Sequence, residues 1–266
     1  MQKNVIIQWG LVAVLSATLA AVALLLRPDA SLARPEASPF FPSPQPTSSA
    51  TATTLPPTTA AALPGTHADG VPHRLVLVNS DHPWTGGTPQ GLCTIAQHIS
   101  CRNIRLKSLE MRAQAEAVTA LQQMADAMAA EGAGELIIVS AYRSVAYQEK
   151  LFQNKLQRVI ASGTPSVNAE QVASQEVTRP GDSEHHTGYA FDLAGADNSL
   201  DSFAGSSQER WILQNGPKYG FVIRYPSDKT EVTGIIHEPW HIRYVGPEAA
   251  TDMQRQGMCL EEYAGS

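Results

Sequence analysis

Two short motifs in the C-terminal half of the chain constrain its fold most strongly, because together they carry the residues that could hold one metal ion. The first motif runs from Ser183 to Asp192 and contains His185, and the second is Glu238-Pro239-Trp240-His241. Two imidazoles and a carboxylate leave the fourth tetrahedral position of a zinc ion open to water, and a further glutamate can accept that water's proton. The sequence therefore predicts a fold that brings both motifs together around a catalytic zinc site.

Two further histidines compete for the metal. His186 follows His185, and His237 precedes Glu238. Because successive side chains of an extended segment point to opposite faces, only one member of each adjacent pair can face the same ion. The residue pattern alone leaves the choice between these histidines open.

Asp192 is the expected carboxylate ligand. A strand over residues 189–193 would point Asp192 to one face, and Gly188 would permit the bend that brings His185 over that face. A histidine close to an aspartate is more often a structural pair. Here a third ligand and a base occur together downstream, so we favour the metal site.

Glu238 is the expected general base. If it were a fourth ligand it would close the coordination shell and leave no position for the reacting water. As a base it would accept the water's proton and pass it to the departing amine. The alternative for Glu238 is a surface salt bridge with Arg243 or Lys229.

The two motifs resemble the signatures of the VanY-type D-alanyl-D-alanine carboxypeptidases. These are zinc peptidases of bacterial cell-wall peptides, in a wider group that includes lysostaphin-like enzymes and hedgehog domains. The resemblance extends from Leu75 to about Tyr263, with Ser-x-His-x-x-Gly-x-Ala-x-Asp at 183–192 and Glu-Pro-Trp-His-x-Arg-Tyr-Val-Gly at 238–246. The resemblance implies one bound zinc ion, Glu238 as the base, and three metal ligands, which are His185, Asp192 and His241.

The segment Ser140-Ala141-Tyr142-Arg143-Ser144 is similar to another pattern of the family, Ser-Gly-Tyr-Arg-Ser. The resemblance implies that Arg143 stabilises the oxyanion, and that Gln148 and Ser183 contact the substrate. A guanidinium suits the first task because it stays charged and presents a rigid fork of donors. Ala141 departs from the usual glycine.

The resemblance implies hydrolysis of the terminal D-Ala-D-Ala bond of peptidoglycan stem peptides. Two alternatives remain open. One is an L,D-carboxypeptidase acting on tetrapeptide stems, which would use the same zinc signatures. The other is a non-catalytic module that binds the cell wall.

The N-terminal residues predict the location of the protein. Residues 6–26 form an almost unbroken apolar run, preceded by Lys3 and closed by Arg27, and about 20 apolar residues span a bilayer as a helix. We expect residues 1–27 to be a membrane anchor rather than a cleaved signal, 28–70 a disordered Pro/Ser/Thr/Ala-rich linker, and 71–266 the zinc domain. The protein would then be a single-pass membrane protein with an extracytoplasmic catalytic domain, or secreted if the signal is cleaved.

Charge and cysteine content limit the remaining possibilities. The formal net charge is −6 and the chain has no basic stripe, which argues against a nucleic-acid partner. Cys93 and Cys101 could form a disulfide in an oxidising compartment, or could be idle thiols, and the odd count of three with Cys259 leaves both open. We expect a monomer.

The pattern of elements predicts an α+β domain with an antiparallel sheet and flanking helices, and the resemblance implies a hedgehog/D,D-peptidase-like fold. Helices and short strands are interspersed without regular alternation, which disfavours a parallel α/β fold. The predicted strands cover 74–79, 136–139, 220–225 and 241–245. The predicted helices cover 111–130, 145–161 and 208–219, and a last helix follows Pro247.

Overall fold

A computed structural model describes residues 72–100 and 102–265 of the chain, all of them within one unit of the polypeptide. The predicted anchor, the linker and Cys101 lie outside this range. Within it, no helix combines the length and apolar character needed to cross a bilayer. Cys93 and Cys259 are free thiols.

A five-stranded mixed sheet forms the centre of the fold. Its strands, in spatial order, are β2 (Ile104–Leu106), β4 (Leu136–Ser140), β5 (Ala190–Ala194), β7 (Glu238–Tyr244) and β6 (Phe221–Tyr225). β2 is parallel to β4 and the other pairs are antiparallel. The expectation of a purely antiparallel sheet is therefore corrected at one edge, where a crossover through a long helix returns the chain in the same direction.

Two further strands pair outside the main sheet, and the helices lie around it. β1 (Leu92–Thr94) and β3 (Arg112–Gln114) form an antiparallel pair. The longer helices are α2 (Ala115–Ala130), α3 (Val145–Ala161), α4 (Ser166–Ser174), α5 (Ser207–Asn215) and α7 (Pro247–Gln256). The shorter helices are α1 (Ile95–His98), α6 (Thr230–Thr233) and α8 (Leu260–Ala264).

The main core lies between α2 and the sheet. The apolar face of α2 is buried at Val118, Leu121, Met124 and Met128, and β5 contributes Phe191 and Leu193 to the same core. Side chains alternate along a strand, so Asp192 between them points away from this core. The predicted alternation along β5 is confirmed, and it leaves one polar side chain free to build a site.

The predicted strand at 74–79 is wrong. Residues His73–Leu75 form a 3-10 turn, and the carbonyl oxygens of Arg74 and Val76 accept hydrogen bonds of 3.1 and 3.0 Å from the Arg243 side chain. A buried side chain thus satisfies backbone groups that a strand would have paired with a neighbouring strand.

Two predicted helices have different bounds in the structure. The helix predicted from Met111 begins at Ala115, because the residues before it pair as β3. The helix predicted over 208–219 ends at Asn215 and continues as the 3-10 helix Gly216–Tyr219. Both bounds of the predicted helix over 145–161 are confirmed. At its N-terminus, the Ser144 side chain accepts a hydrogen bond from a backbone amide of the first turn.

Candidate active site

Neighbouring elements bring the two motifs together. Asp192 on β5 and His241 on β7 are register partners in adjacent strands. His185 belongs to the 3-10 helix Glu184–Thr187 immediately before β5. Gly188 ends that helix with φ of 77°, a backbone conformation that glycine adopts without strain. The turn places His185 over the face of the sheet to which Asp192 points.

His185, Asp192 and His241 form one buried group of three potential metal ligands. Oδ1 of Asp192 lies 3.3 Å from Nε2 of His185 and 3.2 Å from Nδ1 of His241. Each residue offers a ligand atom, and these atoms all lie within 4.8 Å of one another. The structure therefore brings together the three ligands predicted from the sequence.

The outward-facing nitrogen of His185 is hydrogen-bonded, and that of His241 faces a carboxylate beyond hydrogen-bond distance. Nδ1 of His185 is 2.7 Å from the carbonyl oxygen of Ala141, and Nε2 of His241 faces Oε2 of Glu184 at 3.8 Å. Nε2 of His185 is buried and has no hydrogen-bond partner among the described residues. Metal-binding histidines usually donate their second N–H to such acceptors. The donor set thus fits a tetrahedral zinc ion with one position open.

The charges of the site favour a cation. Burial would raise the pKa of Asp192, but the charges of His185 and Arg143 hold it well below its usual range. Burial and Arg143 lower the pKa of His185 to about 4, which leaves the imidazole neutral as metal binding requires. Burial would lower the pKa of His241, but the neighbouring carboxylates of Asp192 and Glu184 outweigh it and raise that pKa to about 9. Negative charge that favours a proton at His241 also favours a divalent cation.

Glu238 begins β7 beside the group of ligands. Its Oε2 lies 3.5 Å from Nδ1 of His241, and its side chain is buried. Burial, opposed by the charge of His241, raises the pKa of Glu238 to about 7. A carboxyl group with such a pKa can both accept and return a proton near neutral pH.

The alternative interpretation of Glu238 as a surface salt bridge is wrong. Glu238 is buried, and both proposed partners pair elsewhere. Arg243 lies 3.3 Å from Glu184, and Lys229 lies 2.9 Å from Glu262. The cations that would neutralise Glu238 on a surface are thus engaged by other carboxylates.

Glu238→Gln should stabilise the metal-free protein above pH 7. The folded-state pKa of Glu238, about 7, exceeds the value of 4.5 for an exposed glutamate, so the folded state binds a proton that the unfolded state has released. The contribution of Glu238 to the free energy of unfolding therefore falls by roughly 3 kcal/mol as pH rises from about 4.5 to 7. Glutamine has no proton to lose, so the variant does not show this decrease. Urea unfolding with chelator present at pH 5 and pH 8 measures the effect. If the free energies of unfolding of the wild type and the variant differed by the same amount at pH 5 and pH 8, the prediction would be contradicted.

Arg143 holds the third ligand from the opposite side. Its Nη2 donates to Oδ2 of Asp192, its Nε donates to Oγ of Ser140 at 2.8 Å, and its Nη1 donates to Oε1 of Gln148 at 3.3 Å. Because the guanidinium holds Oδ2, Oδ1 of Asp192 turns toward the two histidines. Arg143 also lines a cleft of about 400 Å³ that contains the metal-ligand group, so its charge faces the space in which a substrate would lie.

The two predicted substrate-binding residues occupy different positions. Ser183 is buried and lines the cleft. Gln148 is fully buried, donates to the carbonyl oxygen of Thr178 at 2.8 Å, and accepts from Arg143. Gln148 is thus placed to fix Arg143. Substrate contact by Gln148 and Ser183 stays a prediction.

The two competing histidines form hydrogen bonds with backbone groups. Nδ1 of His186 lies 2.8 Å from the carbonyl oxygen of Arg143, and its Nε2 accepts from the Gly181 amide at 3.1 Å. Nδ1 of His237 lies 2.8 Å from the carbonyl oxygen of Tyr225. Both histidines are therefore outside the ligand group, which resolves the ambiguity left by their spacing.

Sequence reasoning missed Glu184. It lies within the first motif, next to His185, yet its carboxylate is fully buried and faces His241 in the second motif. Burial raises its pKa, but the charges of Arg224 and Arg243 outweigh burial and hold the pKa well below its usual range. The two arginines are far from Glu184 in sequence, so only the folded chain identifies them as its partners.

A buried His/Asp/His group with a neighbouring protonatable carboxylate in an α+β fold is typical of zinc peptidases. Residues 110–247 match the family described as VanY, D-alanyl-D-alanine carboxypeptidase. The match covers more than half of the chain and includes every residue of the group. The chain belongs to the VanY family.

Similar proteins agree with this assignment. A D-alanyl-D-alanine carboxypeptidase of Enterococcus faecalis is 43% identical over 143 residues, which are 54% of this chain and 52% of that protein. The D,D-pentapeptidase VanY of a VanB-type resistance cassette, a variant solved with Zn(II), is 35% identical with a TM-score of 0.59, covering 72% of this chain and 99% of that chain. The LD-carboxypeptidase LdcB is 33% identical with a TM-score of 0.60, covering 75% and 92%. The chain spans about half the length of the curated relatives it matches.

Proposed function

We propose that this protein is a zinc-dependent carboxypeptidase that hydrolyses the terminal D-Ala-D-Ala bond of peptidoglycan stem peptides. The observation that carries the proposal is the convergence of three buried ligands on one ion-sized space, with Glu238 beside them. Membership of the VanY family and the 43% identity to a D-alanyl-D-alanine carboxypeptidase support the substrate class.

The residues of the site divide the chemistry between them. His185, Asp192 and His241 would hold zinc, which when bound polarises the scissile carbonyl and lowers the pKa of the attacking water. Glu238 accepts the water's proton and passes it to the amino group of the departing D-alanine. Arg143 stays charged and donates hydrogen bonds to the oxygen that becomes negative in the transition state.

An L,D-carboxypeptidase is the second candidate. It is favoured by one observation, the 33% identity and 0.60 TM-score to LdcB over 75% of the chain. Both reactions need the same metal ligands, base and guanidinium. The cleft beyond the metal would decide which terminal bond is presented to Glu238.

Peptide hydrolysis tests the two candidates directly. The full chain, purified with zinc, is incubated with a pentapeptide stem ending in D-Ala-D-Ala and with the tetrapeptide lacking the last residue, and products are followed by mass spectrometry. We expect the pentapeptide alone to lose one D-alanine, and a chelator to abolish the loss. Cleavage of the tetrapeptide instead would favour the L,D reaction. Zinc binding without cleavage of either would favour a wall-binding module.

We propose in addition that residues 1–27 tether the enzyme to the membrane with the catalytic domain outside. The apolar run at 6–26 between Lys3 and Arg27 supports this, and the Pro/Ser/Thr/Ala-rich composition of 28–70 is that of a linker that would let the domain reach stem peptides near the membrane. Fractionation of bacteria producing the full chain should find it with the membranes, at its full mass. A shorter product in the medium would mean a cleaved signal.

A further inference from the structure

The C-terminal helix α8 is connected to the metal site by buried charges. Glu261 on this helix accepts hydrogen bonds from both terminal nitrogens of Arg224, at 2.8 and 2.6 Å. The Arg224 side chain is completely buried. Such two-point pairing between a guanidinium and a carboxylate fixes the orientation of both groups as well as their distance.

The third guanidinium nitrogen of Arg224 binds a carboxylate that faces the metal site. Its Nε donates to Oε1 of Glu184 at 2.8 Å, and the other oxygen of Glu184, Oε2, faces Nε2 of His241 at 3.8 Å. The opposite nitrogen of that imidazole, Nδ1, is the one directed at Asp192. Hydrogen bonds thus connect Glu261 to Glu184 through Arg224, and a charged contact of 3.8 Å extends the path from Glu184 to His241, a metal ligand.

The charges along this path balance only when Glu261 is present. Glu184 receives Arg224 and, at 3.3 Å, also Arg243, so two buried guanidinium groups meet one buried carboxylate. Glu261 supplies the second negative charge. Without that charge, Glu184 would be the one carboxylate among the described residues that both cations contact, which would draw it away from His241.

We propose that Glu261 is a positioning residue of the metal centre, acting on His241 through Arg224 and Glu184. The proposal rests on the proposed function only in requiring that the site hold zinc. A merely structural role, in which Glu261 does no more than attach α8 to the domain, would affect stability but not zinc affinity.

Zinc affinity of the full-length Glu261→Gln variant tests the proposal. Glutamine keeps the shape of the side chain and removes its charge. We expect the zinc dissociation constant, measured by competition with a chromogenic chelator, to increase about 10-fold, the lower end of the range for loss of a residue that contacts a metal ligand. In zinc-saturated enzyme, kcat should fall while KM for the pentapeptide changes less than about threefold, because Glu261 acts on a metal ligand through Arg224 and Glu184 and does not touch the substrate.

The neighbouring residue offers a matched control. Glu262 is on the same helix, and its carboxylate pairs with Lys229 at 2.9 Å and accepts from the Cys259 amide at 2.8 Å. Glu262→Gln should therefore lower the melting temperature without changing zinc affinity. A dissociation constant for Glu261→Gln equal to that of Glu262→Gln, whatever the melting temperatures, would overturn the proposal.

Arg224→Lys provides a second test in case Glu261→Gln does not fold. Lysine keeps the positive charge but cannot bridge Glu184 and Glu261 at once, so zinc affinity should fall by a similar factor. Unchanged affinity would overturn the proposal. Chelator competition needs no turnover, so these results stand even if the wild-type protein binds zinc and cleaves neither stem peptide, which would contradict the proposed function alone.

Discussion

Replacing Glu238 by glutamine should lower kcat on the pentapeptide about 10³-fold and leave zinc bound at one ion per chain. Glutamine fills the same volume but cannot accept a proton, and general acid–base catalysis by a positioned side chain typically contributes 10²- to 10⁴-fold. The three ligands are other residues, so the metal should remain. Steady-state kinetics and metal analysis of the same preparation measure both quantities.

Glu176 supplies a matched control for this variant. Its carboxylate also lines the cleft, but it is half exposed and paired with Lys155 rather than placed beside the metal ligands. Glu176→Gln should keep kcat within about threefold of wild type, as expected for a solvent-screened pair. A Glu238→Gln enzyme with more than a tenth of wild-type kcat and full zinc would refute the base assignment.

Local sequence predicted the elements that carry their own signal. The helix over 145–161 has a capping serine and helical spacing, and both of its bounds agree with the structure. The strands at 136–139 and 220–225 are apolar runs that end in turns, and both are present as β4 and β6. Periodicity and capping are determined within a few residues, so these elements could be identified without the rest of the fold.

Elements that depend on distant partners were missed. β1, β2 and β3 are each three residues long, too short for alternation to be distinguished from a loop. α4 buries only Ala169 and Ala173, which give little apolar contrast. The segment 74–79 looked like a strand because it is apolar, yet its carbonyl oxygens bind Arg243, which a local pattern cannot reveal.

The residues of the candidate site also include some that the sequence predicted and some that it did not. Its ligands and its base lie in two contiguous motifs, and the structure brings them together around Asp192 as the motifs predict. The groups that orient them come from elsewhere: the Ala141 carbonyl holds His185, and Glu184 faces His241. An acceptor for a ring nitrogen can be any carbonyl or carboxylate within reach, so residue type and spacing contain no signal for it.

Arg243→Met should strongly destabilise the protein, although Arg243 is not one of the metal ligands. Its guanidinium is fully buried, lies 3.3 Å from Glu184, and donates to the carbonyl oxygens of Arg74 and Val76. Methionine would leave these acceptors without their donor and Glu184 with one cation fewer. Removing one partner of a buried charged pair costs about 3–5 kcal/mol. Urea unfolding of the metal-free protein should show a loss of this size.

Arg255→Met is the control, because it removes the same type of side chain from an ion pair at the surface. Arg255 pairs with Asp252 at 2.8 Å, and its side chain is 72% exposed. Water replaces the lost partner there, so the cost should be below about 1 kcal/mol. If Arg243→Met cost no more than Arg255→Met, the buried network would not anchor residues 74–76 to the sheet. Double substitution of Arg243 and Glu184 should cost less than the sum of the two single losses, since both single variants remove the same Arg243–Glu184 attraction.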